Sequence, residues 1–301
     1  MGARPARHPP RPNALWGAVA GLTVAWGFTG TAMTVALAEF TPWIFRSLCI
    51  VFGSMLLFGI AYAAGNNLRV PRAMWRKLAV LAFFNVTCWN MMVAFGLTMI
   101  PSGRAAILAF TMPVWSVPLS AWLLGEEITA RKVGALLLGM TGMALLLGED
   151  LLVIGRAPLG ALLALGAAFS WAIGTVLQKR WPLGLPMGTF TAWTMFLGGV
   201  PVLIGTLVFE HAAWRPVGTA AMLALLYNIF VAFAFAYWAW FKIASTVSVT
   251  VSSISVLSVP IVGVMCGFVF LGERPSVQEY AALACVVLAV LAVNLPARKR
   301  Q

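Results

Sequence analysis

Charge is what this sequence has least of. Only 9% of its 301 residues are charged, while 61% are hydrophobic and the mean hydropathy is +0.94. A soluble domain needs about 25% charged residues to cover its surface, so a water-soluble catalytic or binding domain is excluded. Alternating polar and apolar strands are missing too, which excludes an outer-membrane β-barrel. The eight acidic residues are Glu39, Glu126, Glu127, Glu149, Asp150, Glu210, Glu273 and Glu279, each in or beside an expected loop, and His8 and His211 lie outside the apolar segments. An intramembrane hydrolase or metalloprotease needs paired carboxylates, Ser with His, or His ligands within the spans. The chain therefore reads as a non-enzyme with no cofactor and no metal. Cys49, Cys88, Cys266 and Cys285 fall in apolar segments without metal-ligand spacing and read as core or lipid-facing residues. There is no Walker loop, so ATP is not the energy source. No residue within the spans could hold a coupling proton.

What remains is an all-α membrane protein. Breaks at Pro, Gly and charge clusters divide the chain into ten apolar segments near 13–38, 42–63, 75–99, 103–124, 131–148, 157–178, 187–209, 218–242, 246–271 and 276–295. Ala36-Leu37-Ala38 has the look of a signal-peptidase site. The preceding apolar run is too long for a cleaved signal, whose hydrophobic region is about 7–15 residues, so the segment is expected to stay as the first span. With the N-terminus inside, fifteen Lys and Arg fall on the cytoplasmic side and five outside. That bias predicts both tails, 1–12 and 296–301, in the cytoplasm of a bacterial inner membrane. The net charge of +12 thus reads as orientation in a membrane, with no nucleic-acid partner.

The halves 13–148 and 157–295 resemble each other. Trp26 in GAVAGLTVAWGFTGTAMTVAL falls opposite Trp171 in GALLALGAAFSWAIGTVLQKR, and Phe84-Asn85 opposite Tyr227-Asn228. Pro113 to Glu126 reads PVWSVPLSAWLLGE and Pro260 to Glu273 reads PIVGVMCGFVFLGE, with Pro and Leu-Gly-Glu at the same spacing. Five spans per half force the second half to enter the membrane from the opposite side, an inverted repeat of the kind secondary transporters use. Two such repeats, each carrying Pro-x(10)-Leu-Gly-Glu before a last small-residue helix, resemble the EamA-type branch of the drug/metabolite transporter superfamily over nearly the whole chain. In length and loop economy the chain is similar to the bacterial YddG amino-acid exporters. The resemblance implies export of small metabolites, particularly amino acids, across the inner membrane. Leu-Gly-Glu identifies the family, not the substrate.

Several residues could line a pathway. Asn85, Trp89 and Met92 share one helical face, and Asn228, Ala232 and Phe235 occupy the matching stripe. Trp171, Thr175 and Gln178 form another stripe, partnered by Trp26 and Gly30. Thr111 and Trp115 lie on the fourth span, and Ser248, Ser252 and Ser255 on the ninth. Mid-span amides either bond between helices or meet a ligand. Hydroxyls can satisfy themselves on the preceding turn. Pro113 and Pro260, near the centres of their spans, are candidate hinges. Arg46 and Arg104, just inside the outer span ends, read as snorkelling to headgroups, with capture of a carboxylate as the alternative.

These features predict a monomeric carrier working by alternating access, as a uniporter or exchanger running down the substrate gradient. Tryptophan with amides and hydroxyls suits neutral amino acids, aromatic ones included. Purines, nucleosides or lipophilic drugs fit the same description, and a channel or a sensor is the reading from another class.

Overall fold

A computed structural model describes residues 12–99, 108–147, 158–210, 216–259, 261–262, 265 and 277–294. Regular structure among them is entirely helical. The helices are α1 (Pro12–Leu37), α2 (Pro42–Ala63), α3 (Trp75–Ala82), α4 (Trp89–Met99), α5 (Met112–Leu124), α6 (Ala130–Leu147), α7 (Pro158–Arg180), α8 (Met187–Phe209), α9 (Thr219–Tyr227), α10 (Ala236–Thr246), α11 (Val249–Ser255) and α12 (Val277–Asn294). Six helical runs are long and apolar enough to cross a membrane: Gly17–Leu37, Pro42–Ala63, Arg72–Gly96, Pro158–Arg180, Met187–Phe209 and Thr219–Thr246. They coincide with the first, second, third, sixth, seventh and eighth expected segments. Met112–Leu124, Val249–Ser258 and Tyr280–Ala289 are shorter apolar helices within three of the other four. The chain is a multi-pass membrane protein. Pro260, the second Leu-Gly-Glu at 271–273, Arg104 and the tail residues 1–11 and 296–301 lie outside the described residues.

Small residues bring the helices close. α8 runs along α2 and α6 along α12. A methyl group on Gly198 of α8 would come within 2.4 Å of Val86 Cβ and 2.7 Å of the Ala82 carbonyl oxygen, a backbone atom that has little room to give. Gly198→Ala is therefore expected to cost about 1–3 kcal/mol, as overpacking does. The measurement is the midpoint of thermal unfolding in detergent, and an unchanged midpoint would mean that α8 can back away.

Two helical runs are not α-helical throughout. Phe83–Cys88 joins α3 to α4 and Asn228–Phe235 joins α9 to α10, both as π-helix. π-turns widen the helix, disturb the i→i−4 ladder and recur at functional sites. Each contains a fully buried asparagine whose side chain repairs the ladder: Asn85 Nδ2 donates to the Leu81 carbonyl at 3.1 Å, and Asn228 Nδ2 to the Ala224 carbonyl at 2.9 Å. Neighbouring helices use the π carbonyls as well. Ser170 Oγ donates to the Phe84 carbonyl at 2.8 Å, and Trp26 Nε1 to the Ala232 carbonyl at 3.3 Å.

Three carboxylates tie helix N-termini together across the chain. Gly125, at φ +67°, ends α5 in the left-handed conformation that glycine adopts without strain. The next residue, Glu126, accepts from Val249 N at 2.8 Å and Thr250 Oγ1 at 3.1 Å, capping α11. At the opposite end of the bundle Glu210 accepts from Ile44 N at 3.0 Å, and Glu39 from Gly218 N. A negative charge at a helix N-terminus meets unpaired N–H groups and the positive end of the helix dipole. The first Leu-Gly-Glu thus stops one helix and caps another.

Candidate functional site

α1, α4, α7 and α10 bring four tryptophans and a tyrosine to one place. Trp171, 3% exposed, is the hub: its ring centroid lies 4.5 Å from Trp89, 5.6 Å from Trp26, 5.4 Å from Tyr237 and 5.7 Å from Trp240. These spacings suit edge-to-face and tilted ring contacts. Tyr237 and Trp240 are buried, whereas Trp26 and Trp89 keep part of their surface open. A mobile aromatic-sized ligand could meet the cluster through those two rings.

Polar groups border the rings. Asn90 Nδ2 donates to the Tyr237 hydroxyl at 3.1 Å and to the Val86 carbonyl at 2.8 Å. Gln178 Nε2 donates to the Phe241 carbonyl at 3.0 Å. In each of Asn85, Asn90, Asn228 and Gln178 the amide nitrogen is used, and no group among the described residues donates to the amide oxygen. The buried Trp240 Nε1 also has no acceptor there. A buried polar atom without a partner costs about 1–3 kcal/mol. Unpaired acceptors near an aromatic cluster are what a ligand bearing N–H or O–H donors would satisfy.

The expected residues divide into two groups. Trp26, Trp89 and Trp171 meet in the cluster. Asn85 and Gln178 come from the helices that carry it: a methyl on Gly174, one turn along α7 from Trp171, would lie 2.5 Å from the Asn85 amide. Asn228 sits on the π-turn that receives Trp26. Others serve their own helices. Thr175 Oγ1 donates to the Trp171 carbonyl, Thr111 Oγ1 to Leu108, Ser252 Oγ to Val249 and Ser255 Oγ to Val251. The cross-helix hydroxyl pair on α11 is instead Ser116 with Ser253, at 2.8 Å. Trp115 is partly exposed and packs on Phe169 at 5.4 Å.

Two expectations, on Phe235 and Arg46, need correction, and Pro113 stands at a different place in its helix than its spacing implied. Phe235 leaves the stripe that buries Asn228 and Ala232 and is 41% exposed, because in the wider π-turn that it closes the i+7 position no longer returns to the same face. Pro113 does not interrupt a helix. It stands in the first turn of α5, after a turn at Thr111, where its missing N–H costs nothing; the proline inside α5 is Pro118. Arg46 does not snorkel. It is 5% exposed, because its helix packs against the π-turn and covers the guanidinium with rings.

Periodicity alone missed Asn90, Tyr237 and Trp240. The aromatic run from Phe230 to Phe241 offers a ring on every face, so no spacing singles out the inward ones.

The model of the EamA-like transporter family matches this chain twice, over residues 14–148 and 158–295. The uncharacterized transporter YvbV of Bacillus subtilis (strain 168) is 27% identical over 93% of this chain and 91% of its own length. The uncharacterized transporter YoaV of the same organism is 24% identical over 85% of this chain and 88% of its own. The uncharacterized inner membrane transporter YedA of Escherichia coli (strain K12) is 25% identical over 93% and 90%. A crystal structure of another protein superposes with a TM-score of 0.80 at 20% identity, covering 93% of this chain and 97% of that one, a likeness of fold. None of these names carries a substrate. With nearly the whole length accounted for by the two matched segments, the chain belongs to the EamA-like transporter family.

Proposed function

We propose that the protein exports neutral amino acids, aromatic ones included, across the inner membrane, with both termini in the cytoplasm. The observation that carries this reading is the tryptophan cluster edged by buried amides whose oxygens have no donor among the described residues. The rings offer an apolar side chain stacking partners, and the amide oxygens offer an ammonium group acceptors. Trp26, Asn85, Trp89, Trp171, Gln178 and Asn228 carry the binding, joined by Asn90, Tyr237 and Trp240.

Transport proceeds by alternating access between two inverted five-helix halves, 13–148 and 157–295. The separate family matches to each half support that division. So do the two asparagine-bearing π-turns, which lie at corresponding places in the two halves. Pro113, at the break ahead of α5, is the bending point in the first half, and Pro260 its counterpart. Glu126 clasps a helix of the other half at one end of the bundle, while Glu39 and Glu210 do so at the opposite end. Opening one end means releasing its clasp. No proton carrier enters this scheme, which makes the protein a uniporter or exchanger.

Counterflow tests the reading. Purified protein in liposomes loaded with unlabelled tryptophan, methionine or threonine is expected to take up the labelled amino acid transiently and saturably, without an imposed pH gradient. Absence of counterflow for all three, from protein that remains folded, would sink the amino-acid reading.

A further inference from the structure

Arg46 is a buried cation in an unusual setting. It lies one turn into α2 with 5% of its surface exposed. Among the described residues the guanidinium makes one hydrogen bond, from Nη2 to the Met33 sulfur at 3.4 Å. Its remaining contacts are aromatic: Cζ stands 5.9 Å from the Phe45 ring and 5.7 Å from the Phe233 ring. Guanidinium groups carry five N–H donors in a planar fork, so most of this one's donors are unused. Buried charges are ordinarily paired. The carboxylates Glu39 and Glu210, which bond at the end of the bundle where α2 begins, are engaged instead with the N-termini of helices.

The guanidinium also stands beside the candidate site. Phe233, which meets the guanidinium, stacks on Tyr237 at 5.5 Å, and Tyr237 lies 5.4 Å from Trp171. A short relay of rings therefore connects the free fork to the tryptophan hub. Cation–π contact with Phe45 and Phe233 holds the group in place without occupying its hydrogen-bond donors with an acceptor.

We infer that Arg46 is the anion anchor of this carrier, binding the carboxylate of the substrate while the tryptophan cluster takes its apolar part. The inference rests on the amino-acid reading for the location of the site and adds a requirement to it: the substrate must carry an anionic group. Amines without a carboxylate, and cationic drugs, would place a positive charge beside Arg46 with no acid to offset it.

The test is a charge series on one ring system, read by the ligand-dependent rise in unfolding midpoint of the purified full-length protein in detergent, and by counterflow. Tryptophan and indole-3-propionate keep the carboxylate; tryptophan amide and tryptophol lack it. The two acids are expected to bind at least about thirtyfold more tightly than the amide and the alcohol, the scale of losing one partner of a buried charge pair. Arg46→Gln should abolish that preference, and Arg46→Lys should keep part of it. The inference is overturned if the amide or the alcohol binds as well as the acids, if none of the four binds, or if folded Arg46→Gln retains the preference. The series on the unaltered protein decides the matter even where the variants do not fold. Binding of indole-3-propionate without tryptophan counterflow would sink amino-acid export and leave the anion anchor standing. Equal counterflow of tryptophan and its amide would do the reverse.

Discussion

Replacing Trp171 by alanine is expected to lower counterflow at least tenfold, the largest effect of any single ring in the cluster. Trp171 touches Trp26, Trp89, Tyr237 and Trp240, which come from three other helices. Each aromatic pair is worth about 0.5–1.5 kcal/mol beyond its buried area, and truncating a well-buried tryptophan costs about 3–5 kcal/mol. The four surviving rings would then lean into the gap, so the variant loses both a stacking surface and the alignment of the others. Trp171→Phe keeps a ring at the hub and should retain a measurable rate. Gel filtration separates lost folding from lost binding. An alanine variant that is folded and transports at the original rate would remove the cluster from the mechanism.

Glu126→Ala is the second large effect. The carboxylate closes one end of the bundle by accepting from the N-terminus of α11. Hydrogen bonds to charged groups contribute about 1.5–3 kcal/mol each. Losing about 2 kcal/mol from one of two alternating states shifts their ratio about thirtyfold. The direct readout is hydrogen exchange at the Val249 and Thr250 amides, which should accelerate by that factor, with a changed transport rate. Glu126→Gln keeps an acceptor oxygen but loses the charge, so it should fall between. Unchanged exchange in the alanine variant would mean that α11 is capped from elsewhere and that Glu126 is no clasp.

The membrane class, six of the long apolar helices and the family were legible in hydropathy, charge bias and the Leu-Gly-Glu spacing. The meeting of Trp26, Trp89 and Trp171 was partly legible as well, since the internal resemblance paired Trp26 with Trp171 and helical periodicity singled out Trp89. Both signals assume a regular α-helix. They fail where the helix widens: the π-turn at Asn228–Phe235 rotates the side chains within and beyond it, which puts Phe235 outside and Tyr237 and Trp240 inside. Arg46 failed for a different reason. A basic residue near a span end reads as snorkelling unless the rings that cover it are known, and one of the two, Phe233, comes from another helix 187 positions along the chain. The serines of α11 stood out by density alone, and the structure adds that Ser252 and Ser255 donate their hydroxyl protons to their own backbone.

The most direct test of the central claim is to locate a substrate in the protein. Crystals grown with 5-bromotryptophan would place the bromine by anomalous scattering. The account predicts a peak beside the Trp26, Trp89 and Trp171 rings, at a ring-contact distance on the order of 5 Å. An apolar cleft of about 220 Å³ lined by Pro42, Trp43, Met91, Ala94 and Phe95 offers a competing position. A peak in that cleft, with none at the tryptophan cluster, would contradict the account.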